Sequence, residues 1–137
     1  MTHHPSRRRS GPSATPTAVP LADRSTYCAI DFGTSNSAIA VPDASGGMRL
    51  VELEPGHRTM PTAVFYFVDG PENDGPPRAF GRAALAAYVD GIDGRLMRSM
   101  KSILGSTLAD QTTDVGGGRG ARYIDIVAGY LRHLKRR

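Results

Sequence analysis

The residues of this chain that could do chemistry gather in one stretch, Tyr27-Cys28-Ala29-Ile30-Asp31-Phe32-Gly33-Thr34-Ser35-Asn36-Ser37-Ala38-Ile39-Ala40-Val41. An aspartate closes one apolar run, and a polar tetrapeptide behind a glycine opens the next. Successive backbone N–H groups in such a turn make an anion-binding concavity, to which Thr34, Ser35 and Ser37 add hydroxyls. Gly33 lets the backbone approach a ligand and take positive φ, and Asn36 tolerates similar conformations. An acid beside an anion cradle points to phosphate with a divalent metal, Asp31 holding Mg²⁺ directly or through water. The stretch lacks the Gly-Lys-Ser/Thr ending of a Walker A loop and is not a Gly-x-Gly-x-x-Gly fingerprint. An ordinary hairpin turn is the competing reading of the same residues.

The elements that would position this turn follow from periodicity. The two apolar runs read as strands joined by a tight turn. The first is apolar at nearly every position, which predicts a strand buried on both faces, where a carboxylate such as Asp31 is costly without a cation, water or donors. Pro42 to Gly47 is a turn, and Met48 to Leu53 predicts a third strand, completing an antiparallel meander. His57 to Thr62 reads as a polar link, and Ala63 to Val68 is the strongest strand signal in the chain. Beyond Arg78 the period becomes helical. Ala83 to Val89 predicts one helix. A second is expected from about Arg95, with Leu96, Met100, Ile103 and Leu104 as its stripe and Gly105 as its cap. Lys101 falls between stripe positions, where most lysines face water. Tyr123 to Arg137 predicts an amphipathic helix with Tyr123, Val127, Tyr130, Leu131 and Leu134 on its apolar face.

Composition narrows the function classes. The chain has 137 residues and a net charge of +4, enough length for one domain. Arg7, Arg8 and Arg9 supply three of those four charges, so the remainder is nearly neutral and nucleic acid is an unlikely partner. Residues 1–24, rich in Pro, Ser, Thr and Arg, are expected to be a disordered basic tail. One cysteine, Cys28, fits a reducing compartment and a small buried hydrophobe better than a reactive thiol. No run approaches the length of a membrane span, so no membrane association is expected and the default location is cytoplasmic.

Ala29-Ile30-Asp31-Phe32-Gly33-Thr34-Ser35-Asn36-Ser37 resembles the first phosphate-binding motif of the actin, Hsp70 and sugar-kinase superfamily, with Ala29 in place of its leading glycine. Three further segments favour one branch. Arg58-Thr59-Met60-Pro61-Thr62-Ala63-Val64 resembles the Hsp70 pattern Arg-x-x-Pro-Ser-x-Val. Phe80-Gly81-Arg82-Ala83-Ala84 resembles the Val-Gly-x-x-Ala segment that follows. Arg98-Ser99-Met100-Lys101-Ser102-Ile103-Leu104-Gly105 resembles the Hsp70 stretch Lys-Arg-Leu-Ile-Gly. The wording from Gly94 to Ser106, and Tyr130-Leu131-Arg132-His133-Leu134-Lys135, is closer still to the YegD-like branch of Hsp70 relatives. Sugar kinases and MreB-like filaments share the turn without the full set.

The resemblance implies an α/β fold, part of lobe I of an actin-like (ribonuclease H-like) ATPase, with an incomplete sheet over residues 25–137. It implies ATP or ADP with Mg²⁺ as cofactors. Asp31 would orient the metal's water shell, and Gly33, Thr34, Ser35 and Asn36 would hold the β- and γ-phosphates. Lys101 would reach the γ-phosphate, where a point charge stabilises the transferring group. Client proteins would bind through a downstream domain. Asp114-Val115-Gly116-Gly117-Gly118-Arg119 mimics the superfamily's second phosphate motif, but Ala109 to Thr113 before it does not read as a strand, so a flexible loop tip is expected. With no second phosphate motif and no adenosine segment, the chain alone is expected to bind nucleotide feebly and to hydrolyse none. The alternative is a non-enzymatic interaction or regulatory module.

Overall fold

The computed structural model describes residues 27–72 and 75–137. The expected basic tail over residues 1–24 lies outside the described residues. Among those described, the fold is mixed α/β, with antiparallel pairing throughout.

The first sheet is built on β2 (Asn36–Pro42). On one side it pairs with β1 (Ala29–Phe32), Asp31 standing opposite Ala38. On the other it pairs with β3 (Met48–Leu50) and, farther along the same edge, with β4 (Met60–Pro61). The excursion between β3 and β4 folds on itself through a Glu54–His57 bridge around Pro55 and Gly56. The meander is therefore as expected, except that the polar link holds a strand. One expectation fails. β1 is an edge strand, with Ala29, Ile30 and Asp31 exposed rather than buried on both faces. Its run of apolar residues includes only two that reach the core, Cys28 and Phe32. A carboxylate at Asp31 consequently carries no burial cost.

The second sheet has β5 (Ala63–Phe67) at its centre, between β6 (Arg78–Phe80) and β7 (Gly94–Arg98). Alternation along β5 sends its side chains into two cores. Val64 and Tyr66 join Ile39, Leu53, Met60 and Met97 under helix α2 (Tyr123–Lys135), while Ala63 and Phe65 pack with Ala84 and Ala87 of helix α1 (Gly81–Val89). Helix, sheet and helix thus form three layers, and β5 is the strand enclosed on both faces. That explains its dense run of β-branched and aromatic residues.

The helix expected from Arg95 is absent. Residues Gly94–Arg98 form β7 instead, and Met100–Ile103 form a single 3₁₀ turn. Pairing with β5 decides this. Leu96 opposes Phe65 and Met97 opposes Val64, so the neighbouring apolar residues enter different cores, as strand alternation demands and a helix stripe does not. Gly94 fits because a Cβ there would lie 2.2 Å from the Tyr66 carbonyl oxygen.

The segment before the triple glycine is also a strand, against expectation. β8 (Thr112–Asp114) pairs with β9 (Gly120–Arg122). It is short and largely exposed, and its turn is closed internally. The Asp114 carboxylate accepts the Gly116 N–H at 2.8 Å, and Gly116, Gly117 and Gly118 all take positive φ. The loop-tip reading of these glycines stands. In α2 the buried residues are Ile126, Val127, Tyr130 and Leu134. Among the described residues, no helix is long and apolar enough to cross a membrane.

Candidate phosphate-binding site

The turn between β1 and β2 is tightly drawn. The Gly33 N–H donates to the Asn36 carbonyl oxygen at 3.0 Å, and a Cβ on Gly33 would meet that oxygen at 2.4 Å. Glycine is thus required here by close approach; its φ is not in the left-handed region, nor is that of Asn36.

Beyond the turn, the chain is fastened to β4 and the start of β5. The Thr62 N–H donates to the Ser35 carbonyl at 2.9 Å, and the buried hydroxyls of Ser37 and Thr62 share a hydrogen bond of 2.8 Å. Tyr130 of α2 reaches the same place, its hydroxyl donating to the carbonyl oxygens of Pro61 (3.0 Å) and Met60 (3.3 Å). Burial pushes the Tyr130 phenol above its ordinary range, partly opposed by the nearby hydroxyls of Ser37 and Thr62. Next to it, Gly81 opens α1 at φ +64°, where a Cβ would lie 2.4 Å from Met60 Cγ. The Glu54 carboxylate accepts both the backbone N–H (2.9 Å) and the guanidinium (2.6 Å) of Arg82, which also donates to the Thr59 carbonyl at 2.8 Å.

Of the four segments scattered from Ala29 to Gly105, the other three therefore converge on Met60–Ala63 of the second. The fourth arrives through β7, where Arg98 pairs with Ala63. Beside the turn and this junction lies a cleft of about 380 Å³, whose lining includes Thr34, Ser35, Asn36, Leu85 of α1, Arg98 and Ser99. Ser99 is the one non-glycine among the described residues with positive φ (+57°), in the left-handed region. Such a residue costs roughly 1–2 kcal/mol, and strain of this kind collects where a backbone is held for a purpose.

Of the residues singled out in the sequence, Thr34, Ser35 and Asn36 line the cleft, and Gly33 shapes the turn behind them. Asp31 lies on the same face of the sheet as Ala38, with its side chain exposed and outside the cleft lining. Lys101 is exposed in the 3₁₀ turn, two residues past Ser99, and does not line the cleft. Arg98 was not singled out. Its cue lies in register, because only a strand, not the expected helix, places it beside Ala63. Among the described residues no three of His, Cys, Asp and Glu gather closely enough to hold a metal ion. With Asp31 outside the cleft lining, any Mg²⁺ there would come with the phosphate and its water and not be caged by protein alone.

No protein-family model matches the chain, and no curated protein matches it either.

Proposed function

We propose that this chain carries the phosphate-binding half of an Hsp70-like nucleotide site, within a cytoplasmic chaperone-type ATPase whose other wall lies outside these residues. One observation carries the reading: Thr34, Ser35 and Asn36 line a single cleft together with Arg98 and Ser99. Hydroxyl-bearing turn residues and an arginine around one cleft suit a polyphosphate, to which arginine offers a bidentate fork. The convergence of three resembling segments on the fourth, at Met60–Ala63, gives second support, because segments recruited for unrelated reasons have no cause to meet.

In this reading Gly33, Thr34, Ser35 and Asn36 hold the β- and γ-phosphates of ATP or ADP, and Arg98 balances their charge. Asp31 holds Mg²⁺ through water, the metal supplying charge neutralisation between phosphate oxygens. Lys101 stands on the neighbouring turn as the cation for the γ-phosphate. Without a second phosphate loop, the chain binds Mg-ATP weakly and does not turn it over. Phosphorus NMR of Mg-ATP tests this. Added protein should broaden the β and γ resonances, and Arg98→Ala should remove the broadening. Unchanged lines at millimolar protein would overturn the reading, as would steady hydrolysis abolished by Asp31→Asn and Lys101→Ala in this chain.

A second reading rests on one observation. Away from Asp31, the outer face of the first sheet exposes Met48 (47%) and Leu50 (47%) beside the small Ala38 and Ala40. An apolar face of this kind suits an interaction module. Sedimentation separates the two readings: a monodisperse chain that self-associates through this face and ignores Mg-ATP would favour the module.

A further inference from the structure

A second cleft lies between β6 and the C-terminal half of α2, and its chemistry is cationic. It has a volume of about 260 Å³ and is lined by Arg78 and Phe80 of β6 and by Gly129, Arg132, His133 and Arg136. Gly129, Arg132, His133 and Arg136 recur at spacings of three and four, so they share one face of the helix end. Among the described residues no carboxylate lines the cleft, and neither Arg132 nor Arg136 is ion-paired. Its walls are fixed. The His133 ring stacks on Phe80 with centroids 4.1 Å apart and 13° between planes, and Arg78 lies over the other ring, 5.6 Å from its centroid, while donating to the Pro76 carbonyl at 3.1 Å.

Cations near a helix C-terminus are favoured by its dipole. That accounts for Arg132 and Arg136 in part, and for neither the arginine contributed by β6 nor the glycine. Gly129 sits mid-helix, where glycine is unfavourable, and a Cβ there would touch nothing within 4 Å. Packing does not require it; an open cleft floor does. We propose that this cleft binds a multiply charged oxyanion of the phosphate class, with Arg132 and Arg136 as the charge-bearing donors, Arg78 as the opposing wall and Gly129 leaving room for the ligand.

His133 reports occupancy. The groups facing it are Arg78 from β6, Arg136 and Arg137 from its own helix end, and Glu54 from the link before β4. Burial, then Arg137, hold its imidazole below the ordinary range, Glu54 opposing them; Glu54 is itself engaged by Arg82. An anion seated among the arginines raises the His133 pKa. The experiment titrates His133 by proton NMR in inorganic phosphate and in pyrophosphate, with sodium chloride holding ionic strength constant. A saturable rise is expected. Tighter binding of pyrophosphate would mark the phosphate chain of a larger ligand, and equal binding a single phosphate group. Arg132→Ala with Arg136→Ala should weaken binding roughly tenfold or more, the factor expected for lost charge-assisted hydrogen bonds. Gly129→Leu, whose Cβ meets no atom within 4 Å and whose longer side chain occupies the cleft, should abolish binding while the chain stays folded. No saturable shift at constant ionic strength, or binding unaltered in the folded Gly129→Leu variant, would overturn the proposal.

Discussion

The hydroxyl of Tyr130 donates to the carbonyl oxygen of Pro61 across 3.0 Å, joining the last helix to the strand that supports the Gly33–Asn36 turn. The two residues are 69 positions apart, yet Tyr130 is fully buried and its ring lies 5.9 Å from that of Phe32, at the start of the same turn. Helix α2 is thus a brace for the candidate site. Tyr130→Phe should lower stability by about 1–3 kcal/mol, because two buried carbonyls lose their shared donor while the ring packing survives. Urea denaturation checks this, and an unchanged midpoint would show that water takes the hydroxyl's place.

Alkaline pH should loosen the same brace. Burial raises the phenols of Tyr130 and Tyr66 above 10.0, the value of an exposed tyrosine. An acid whose folded pKa is raised ionises first in the unfolded chain, so its contribution is complete below pH 10 and is lost as pH rises through the folded value. Thermal melts from pH 8 to 11 should show falling stability only in the upper part of that range, with a smaller fall in Tyr130→Phe.

The Ser37–Thr62 hydrogen bond predicts non-additivity. Either Ser37→Ala or Thr62→Val strands a buried hydroxyl and should cost about 1–3 kcal/mol. The double variant leaves no polar group stranded and should cost less than the sum of the two. A double-mutant cycle measures the difference, and strict additivity would mean the hydroxyls are satisfied separately.

Two glycines should respond with opposite signs. Gly33→Ala forces a Cβ to within 2.4 Å of the Asn36 oxygen, so the turn must open, at a cost of about 1–3 kcal/mol. Gly129→Ala meets nothing and removes a mid-helix glycine, which should stabilise by about 0.5–1 kcal/mol.

How far the sequence revealed this arrangement depended on whether local pattern and tertiary pairing agreed. At Ala63–Phe67 they agree, since a strand enclosed on both faces must be apolar throughout. At β1 the same pattern misled: Ala29 and Ile30 are apolar but sit on an exposed edge, and composition carries no record of which strand is central. From Leu96 to Leu104 a helical spacing lay over residues of which Leu96 to Arg98 pair as a strand, and the β5 register outweighed it. The turn residues Thr34, Ser35 and Asn36 were legible because polar residues between apolar runs need a purpose. Arg98 was not, since its place depends on pairing with Ala63, 35 positions earlier in the chain. Tyr130 read as helix packing, and only the fold reveals its hydroxyl on Pro61.

The most direct test of the central claim is a map of backbone amide shifts as Mg-ATP is added to millimolar concentration. The account predicts saturable changes at Gly33, Thr34, Ser35, Asn36, Arg98 and Ser99, with Lys101 shifting in their company and Arg98→Ala removing the set. Shifts confined to other surfaces, or none at the turn, would contradict it.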